Sequence, residues 1–177
     1  MEREIGRTAE RSLEARSLSE KLGTVVDAVI EEVGTFRVGL HAEALRGLTE
    51  LLAATEVEAL LANPDAALGG QFDRHPWAEL FYLMDASGVQ VSSNLVNPRY
   101  ADLMSTDGKG VQRADKPYFR VVSDSGKPFI SDIYLSSASK NLCLTVSVPV
   151  FDGHRLRGVL AADVAVADFS RLSNPTR

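Results

Sequence analysis

The chain has 177 residues, 45% of them hydrophobic and 24% charged, enough to bury the core of one domain and short for two. Its 19 basic and 24 acidic residues leave a formal charge of −5, which argues against nucleic acid or an anionic membrane held by general attraction. The one cysteine, Cys143, excludes an internal disulfide and a multi-cysteine metal site, and its apolar neighbours predict an inert packed thiol.

In chain order, the first regime is helical. Leu18, Leu22, Val25, Val26, Val29, Ile30 and Val33 recur at spacings of three and four, a single stripe on one helix face. Such a seam, extending past what a small sheet can cover, predicts pairing with a second copy. Leu45, Leu48, Leu51, Leu52, Leu60 and Leu61 continue the helical spacing until "NPD" at 63–65. Gly34, Gly39 and Gly47 leave the break between the two helices open.

Near residue 76 the pattern changes to punctuated strands. "LFYLMD", the turn "DASG" and "VQVSS" predict a hairpin of residues 80–85 and 89–93. "PFISDIYLS", "LCLTVSVPVF" and "RLRGVLAADVAV" predict three more strands joined by short turns, hence antiparallel. Alternation puts Leu142, Leu144, Val146, Val148 and Val150 on one face and Cys143, Thr145 and Ser147 on the other. By the same rule Asp132, Tyr134 and Ser136 share a face, and Asp163 opposes Leu160, Ala162 and Val164. One sheet face is therefore apolar and suited to the N-terminal helices, and the other is small and polar. About 35 residues without strand pattern separate the second and third strands, a length that implies function or short helices of their own. "DKPYFR", residues 115–120, lies there.

Catalytic patterns are scarce. His41, His75 and His154 stand far apart, in no metal-ligand spacing, and read as surface residues. There is no nucleophile elbow, phosphate loop or dinucleotide fingerprint, so the sequence predicts neither an enzyme nor a cofactor or metal site. Binding chemistry is better represented. Lys116 can meet a carboxylate as a point charge and Arg113 as a two-donor fork, while Tyr118 offers a hydroxyl above a ring. Asp163 interrupts the apolar run "GVLAADVAV", where a carboxylate must be paired or hydrogen-bonded.

The segments "PWAELFYLMDASGVQVSSN", "ADKPYFRVVSDSGKPFISDIYLSSASKNLCLTVSVPVFD" and "RGVLAADVAVADF" resemble the Cache family of PAS-like sensor domains, also called PDC domains, over about residues 76–170. The resemblance implies an α+β fold: a PAS-like antiparallel sheet of five or six strands, a long N-terminal helix pair on one face and a ligand pocket on the other. It implies bacterial signal transduction through small molecules such as amino acids, amines and short carboxylates. Amino-acid-binding members carry Arg-X-Trp-Tyr and an aspartate in the last strand. Here Lys116 stands at the Arg position, Tyr118 at the Trp, Phe119 at the Tyr, and Asp163 at the aspartate. The expected ligand-binding set is Lys116, Tyr118, Phe119, Arg113, Tyr134, Asp163 and Tyr82.

The expected organisation is a helical region, residues 1–75, and a sensor sheet, residues 76–172, together one domain. The expected function is a small-molecule sensor acting through a signalling partner or an output module. The alternative is an interaction or dimerisation module with a vestigial pocket, the N-terminal helix forming a homodimer. Lacking an apolar signal core or spanning stretch, the sequence reads as cytoplasmic, or as extracytoplasmic if it is the excised sensor of a receptor.

Overall fold

The computed structural model describes residues 2–167; in the first helix it describes the side chains of Leu18, of residues 21–29 and of Glu31 onward. The chain divides into two compact units between Gly39 and Leu40. The first unit is helical, the beginning of α1 (Glu2–Ala53). Leu18, Leu22, Val25, Val26, Val29, Val33 and Phe36 are exposed there at the spacing of one helix face. Ile30, expected in the same stripe, lies outside the described side chains.

The second unit begins within the same helix. Leu40, Ala44, Leu48 and Leu51 are fully buried on the sheet, with Leu60 from α2 (Val57–Ala62) and Leu68 from α3 (Pro64–Leu68). The helix runs unbroken through the glycines where a break seemed open; the expected pair is one long helix followed by two short ones. Gly47 has a packing reason to be glycine. A Cβ there would lie 2.6 Å from the Trp77 ring, so the missing side chain lets the indole close onto the helix. Asn63 ends α2, and its side chain caps α3 by accepting from the Ala66 N–H, with Pro64 at the first helical position. "NPD" is thus both a stop and a start.

Six antiparallel strands follow: β1 (Ala78–Asp85), β2 (Leu95–Val96), β3 (Phe129–Ile130), β4 (Tyr134–Leu135), β5 (Leu142–Asp152) and β6 (Arg155–Ala165). Their order is β2-β1-β6-β5-β3, with β4 also paired to β5. Leu144, Val146, Val148 and Val150 join Leu160, Ala162 and Val164 under the helices. On the other face Leu80, Tyr82, Met84, Val159 and Ala161 pack against Tyr100, Met104, Phe119 and Val122. The last two belong to α4 (Pro117–Ser125), and Tyr100 to a 3-10 turn at Pro98–Tyr100.

Two strand expectations are corrected. The hairpin partner at 89–93 pairs with β1 only through the Met84–Gln90 bridge. There the Ser92 hydroxyl takes the Leu83 N–H, and ladder pairing resumes at Leu95 and Val96. The strand expected across 129–136 is two pieces. Ile130 pairs with Val146 but Tyr134 pairs with Cys143, a one-residue slip between them. The Ser131 hydroxyl accepts the Thr145 N–H at this bulge, and Asp132 beside it is exposed. His75, read as a surface residue, is half-buried: its ring meets Trp77 and Phe81 edge-on, and burial lowers its pKa.

Candidate functional site

A cavity of about 300 Å³ opens on the polar sheet face, at the small end of the range typical of ligand pockets. Its floor comes from β1, β5 and β6, through Leu80, Tyr82, Thr145 and Asp163. Its walls come from Met104 and Arg113 in the long connection, Tyr118 of α4, Tyr134 of β4, and the hairpin tip Ser136–Ala138.

Asp163 is the cavity's acid. Leu80 pairs with it on one side and Thr145 on the other, which fixes its outlook. The Thr145 hydroxyl donates to Asp163 Oδ1 at 2.7 Å, and Tyr134 OH lies 2.8 Å from the same hydroxyl oxygen. Since threonine's one proton goes to the carboxylate, the tyrosine donates to threonine. Burial pushes the Asp163 carboxyl up to about 6, with the Glu79 carboxylate adding; the Thr145 bond and the Arg113 charge oppose. Burial beside Asp163 likewise raises Tyr82 and Tyr134, so both stay neutral hydrogen-bonding groups.

Arg113 is the cavity's base. Its backbone is fixed where residues 110–113 run along residues 88–90: Gln90 N–H donates to Val111 C=O, and Arg113 N–H to Gly88 C=O at 2.7 Å. Its guanidinium donates from Nε and Nη2 to Gln90 Oε1, at 3.2 and 2.9 Å, and from Nη1 to Tyr118 OH at 3.4 Å. It also lies 5.7 Å from the centroid of the Tyr82 ring, which meets the Tyr118 ring edge-on. Both hydrogen-bond acceptors are neutral, so the positive charge stays available to an anion.

Behind Arg113 stands the fully buried Gln90, whose amide donates to Asn94 Oδ1 at 2.8 Å. Asn94 in turn donates to the carbonyls of Ser105 and Asp107. A Cβ on Gly108 would overlap both amides, which would have to shift and disturb this chain to make room. Sequence reading passed over Gln90 and Thr145 as site residues, although parity placed a signal. Gln90 sits opposite Met84, on the face of Tyr82, and Thr145 shares the face of Cys143.

Of the expected set, the structure brings Arg113, Tyr118, Tyr134, Asp163 and Tyr82 to one cavity. It does not bring Lys116 or Phe119 there, and this corrects their expected positions. Lys116 is the N-cap of α4, its extended backbone turning the side chain outward to an exposed ion pair with Asp115 at 3.1 Å. That bond lowers the Asp115 pKa. Phe119 is 5% exposed and packs in the second core, one position past the cavity-facing Tyr118. Among the described residues no group of three or more His, Cys, Asp or Glu side chains gathers to hold a metal.

No protein-family model matches the chain. Over 97 residues, 54% of this chain, it is 27% identical to a citrate (Re)-synthase of Syntrophus aciditrophicus, of which it spans only 15%. In fold it is similar to the ligand-binding domain of the Campylobacter jejuni chemoreceptor Tlp3, solved with 4-methylisoleucine. The TM-score is 0.57 at 16% identity, covering 81% of this chain and 58% of that one. It is also similar to the ligand-binding domain of the Pseudomonas aeruginosa amino acid chemoreceptor PctB, solved with L-Arg. There the TM-score is 0.50 at 16% identity, covering 78% of this chain and 55% of that one. The chain thus has the α+β fold of chemoreceptor sensor domains, as the Cache/PDC resemblance implies, and spans a little over half of each.

Proposed function

We propose that this domain is a non-catalytic sensor. It binds a small amino-acid-like molecule or short carboxylate in the cavity and passes occupancy to a signalling partner or output module. The observation that carries the reading is a guanidinium and a carboxylate lining one small cavity, Arg113 and Asp163, beside apolar surface from Leu80 and Met104. Arg113 takes the ligand carboxylate with its charged fork. Asp163, oriented by Thr145, takes an ammonium. The apolar wall accepts a short side chain. The amino acids bound by the structural neighbours support this choice. Their place in chemoreceptors supports an extracytoplasmic sensor rather than a cytoplasmic one.

A thermal-shift screen of amino acids, amines and short mono- and dicarboxylates tests the reading. A zwitterion should raise Tm in wild type and fail to do so in Arg113→Ala and Asp163→Asn. No response from any compound would contradict it.

A second surface supports assembly. Leu22 and its neighbours on the first unit expose a continuous apolar face, with Leu22 62% exposed, of the kind that pairs helices. The domain pairs with a second copy along it. Sedimentation at micromolar concentration should give a dimer that Leu22→Glu dissociates; a monomer in both proteins would refute pairing.

A further inference from the structure

The hairpin tip between β4 and β5, residues 136–141, is a wall of the cavity through Ser136, Ser137 and Ala138. Its own backbone bonds are few. Ser136 N–H donates to Asn141 C=O at 2.8 Å and Lys140 N–H to Ser136 C=O at 3.1 Å. The Ser136 hydroxyl accepts from the Ala138 and Ser139 N–H groups. Serines 136 and 139 are buried, while Ser137 and Lys140 are exposed.

The tip reaches the sheet through Glu79. This side chain is fully buried at the irregularity between Ala78 and Leu80 of β1. Both its oxygens lie 3.1 Å from the Ser139 hydroxyl, and Asn141 Nδ2 donates to Oε1 at 3.4 Å. One hydroxyl proton shared between two carboxylate oxygens and one amide N–H tie the tip to β1, and removing them leaves a buried carboxyl without these donors. Glu79 precedes Leu80, the residue of β1 that pairs with Asp163, and its carboxylate adds to the upward push on the Asp163 carboxyl.

We infer that Glu79 is a positioning residue for the cavity: its buried carboxylate fastens the 136–141 tip as a wall and adds its charge to the surroundings of Asp163. The inference rests on the cavity being the ligand site, but its test needs no ligand. Among the described residues, the charged and titratable groups around Asp163 include Glu79 and Tyr82 from β1, Arg113 from the long connection, Tyr118 of α4, Tyr134 from β4 and Cys143 from β5. Tyr82, Tyr134 and Cys143 are neutral near pH 6 and Arg113 stays charged, so changing Glu79 isolates its effect.

The experiment compares wild type, Glu79→Gln, Ser139→Ala and the double variant, all without ligand. Trypsin cleavage after Lys140 reads opening of the tip. Each single variant should be cut about tenfold faster, as expected for a lost bond to a charged group, and the double no faster than the quicker single. The Asp163 carboxyl carbon, titrated by NMR, should have its midpoint near 6 in wild type and Ser139→Ala and lower in Glu79→Gln. Cleavage of Ser139→Ala at the wild-type rate would overturn the inference, and so would one midpoint shared by all three. Should Glu79→Gln not fold, the Ser139→Ala cleavage rate decides alone.

Discussion

Asp163 trades stability for readiness to bind. Its folded pKa of about 6 lies above the value of 3.8 for a free aspartate. A raised carboxyl contributes stability that is fully present below the unfolded pKa and lost as pH rises through the folded one. The folded domain should therefore lose about 3 kcal/mol from this group between roughly pH 4 and pH 7. Asp163→Asn removes that loss, so its Tm should exceed wild type at pH 7.5 and approach it near pH 4. A variant less stable than wild type at pH 7.5 would contradict the burial argument. Ligand affinity should run the other way. An ammonium needs the ionised carboxylate, so affinity is full above about pH 6 and falls toward about tenfold per unit below it. Cys143, on the same face, has its pKa pushed up to about 11 by burial. Native protein should react with a thiol reagent far more slowly than denatured protein, and rapid native labelling would misplace this residue.

At the scale of elements, what could be read from sequence followed one rule, and so did what could not. Strict alternation in β5 and β6 sorted Thr145 and Asp163 to one face and Leu144, Val146 and Leu160 to the other, as found. The rule fails wherever a serine side chain replaces a backbone partner. Ser131 and Ser92 each take a main-chain N–H, and each interrupts a ladder that composition alone reads as continuous. No residue pattern announces such a substitution. The "DKPYFR" stretch shows a related limit. Pro117 and the aromatic pair place α4 on the sheet, but helix start geometry decides that Tyr118 faces the cavity and Lys116 faces away. Arg113, three residues earlier, occupies the cavity because residues 110–113 run along residues 88–90. Gly108→Ala should reveal that dependence. Its Cβ displaces Gln90 and Asn94, so stability should fall by about 1–3 kcal/mol in denaturant titration, and ligand binding should weaken with it. Unchanged stability would mean that the amides have room the packing denies them.

For the whole molecule, the sensor reading turns on which cation receives the ligand. Lys116 occupies the motif position that the resemblance assigns to arginine, yet it is exposed and paired with Asp115, whereas Arg113 lines the cavity. Truncating one partner of a desolvated charge pair costs about 2–5 kcal/mol of binding, while an exposed lysine contributes little. Isothermal titration with the ligand identified by thermal shift, into wild type, Arg113→Ala and Lys116→Ala, measures this directly. The account predicts binding lost in Arg113→Ala and retained within about threefold in Lys116→Ala. Binding that survives in Arg113→Ala and disappears in Lys116→Ala would contradict it.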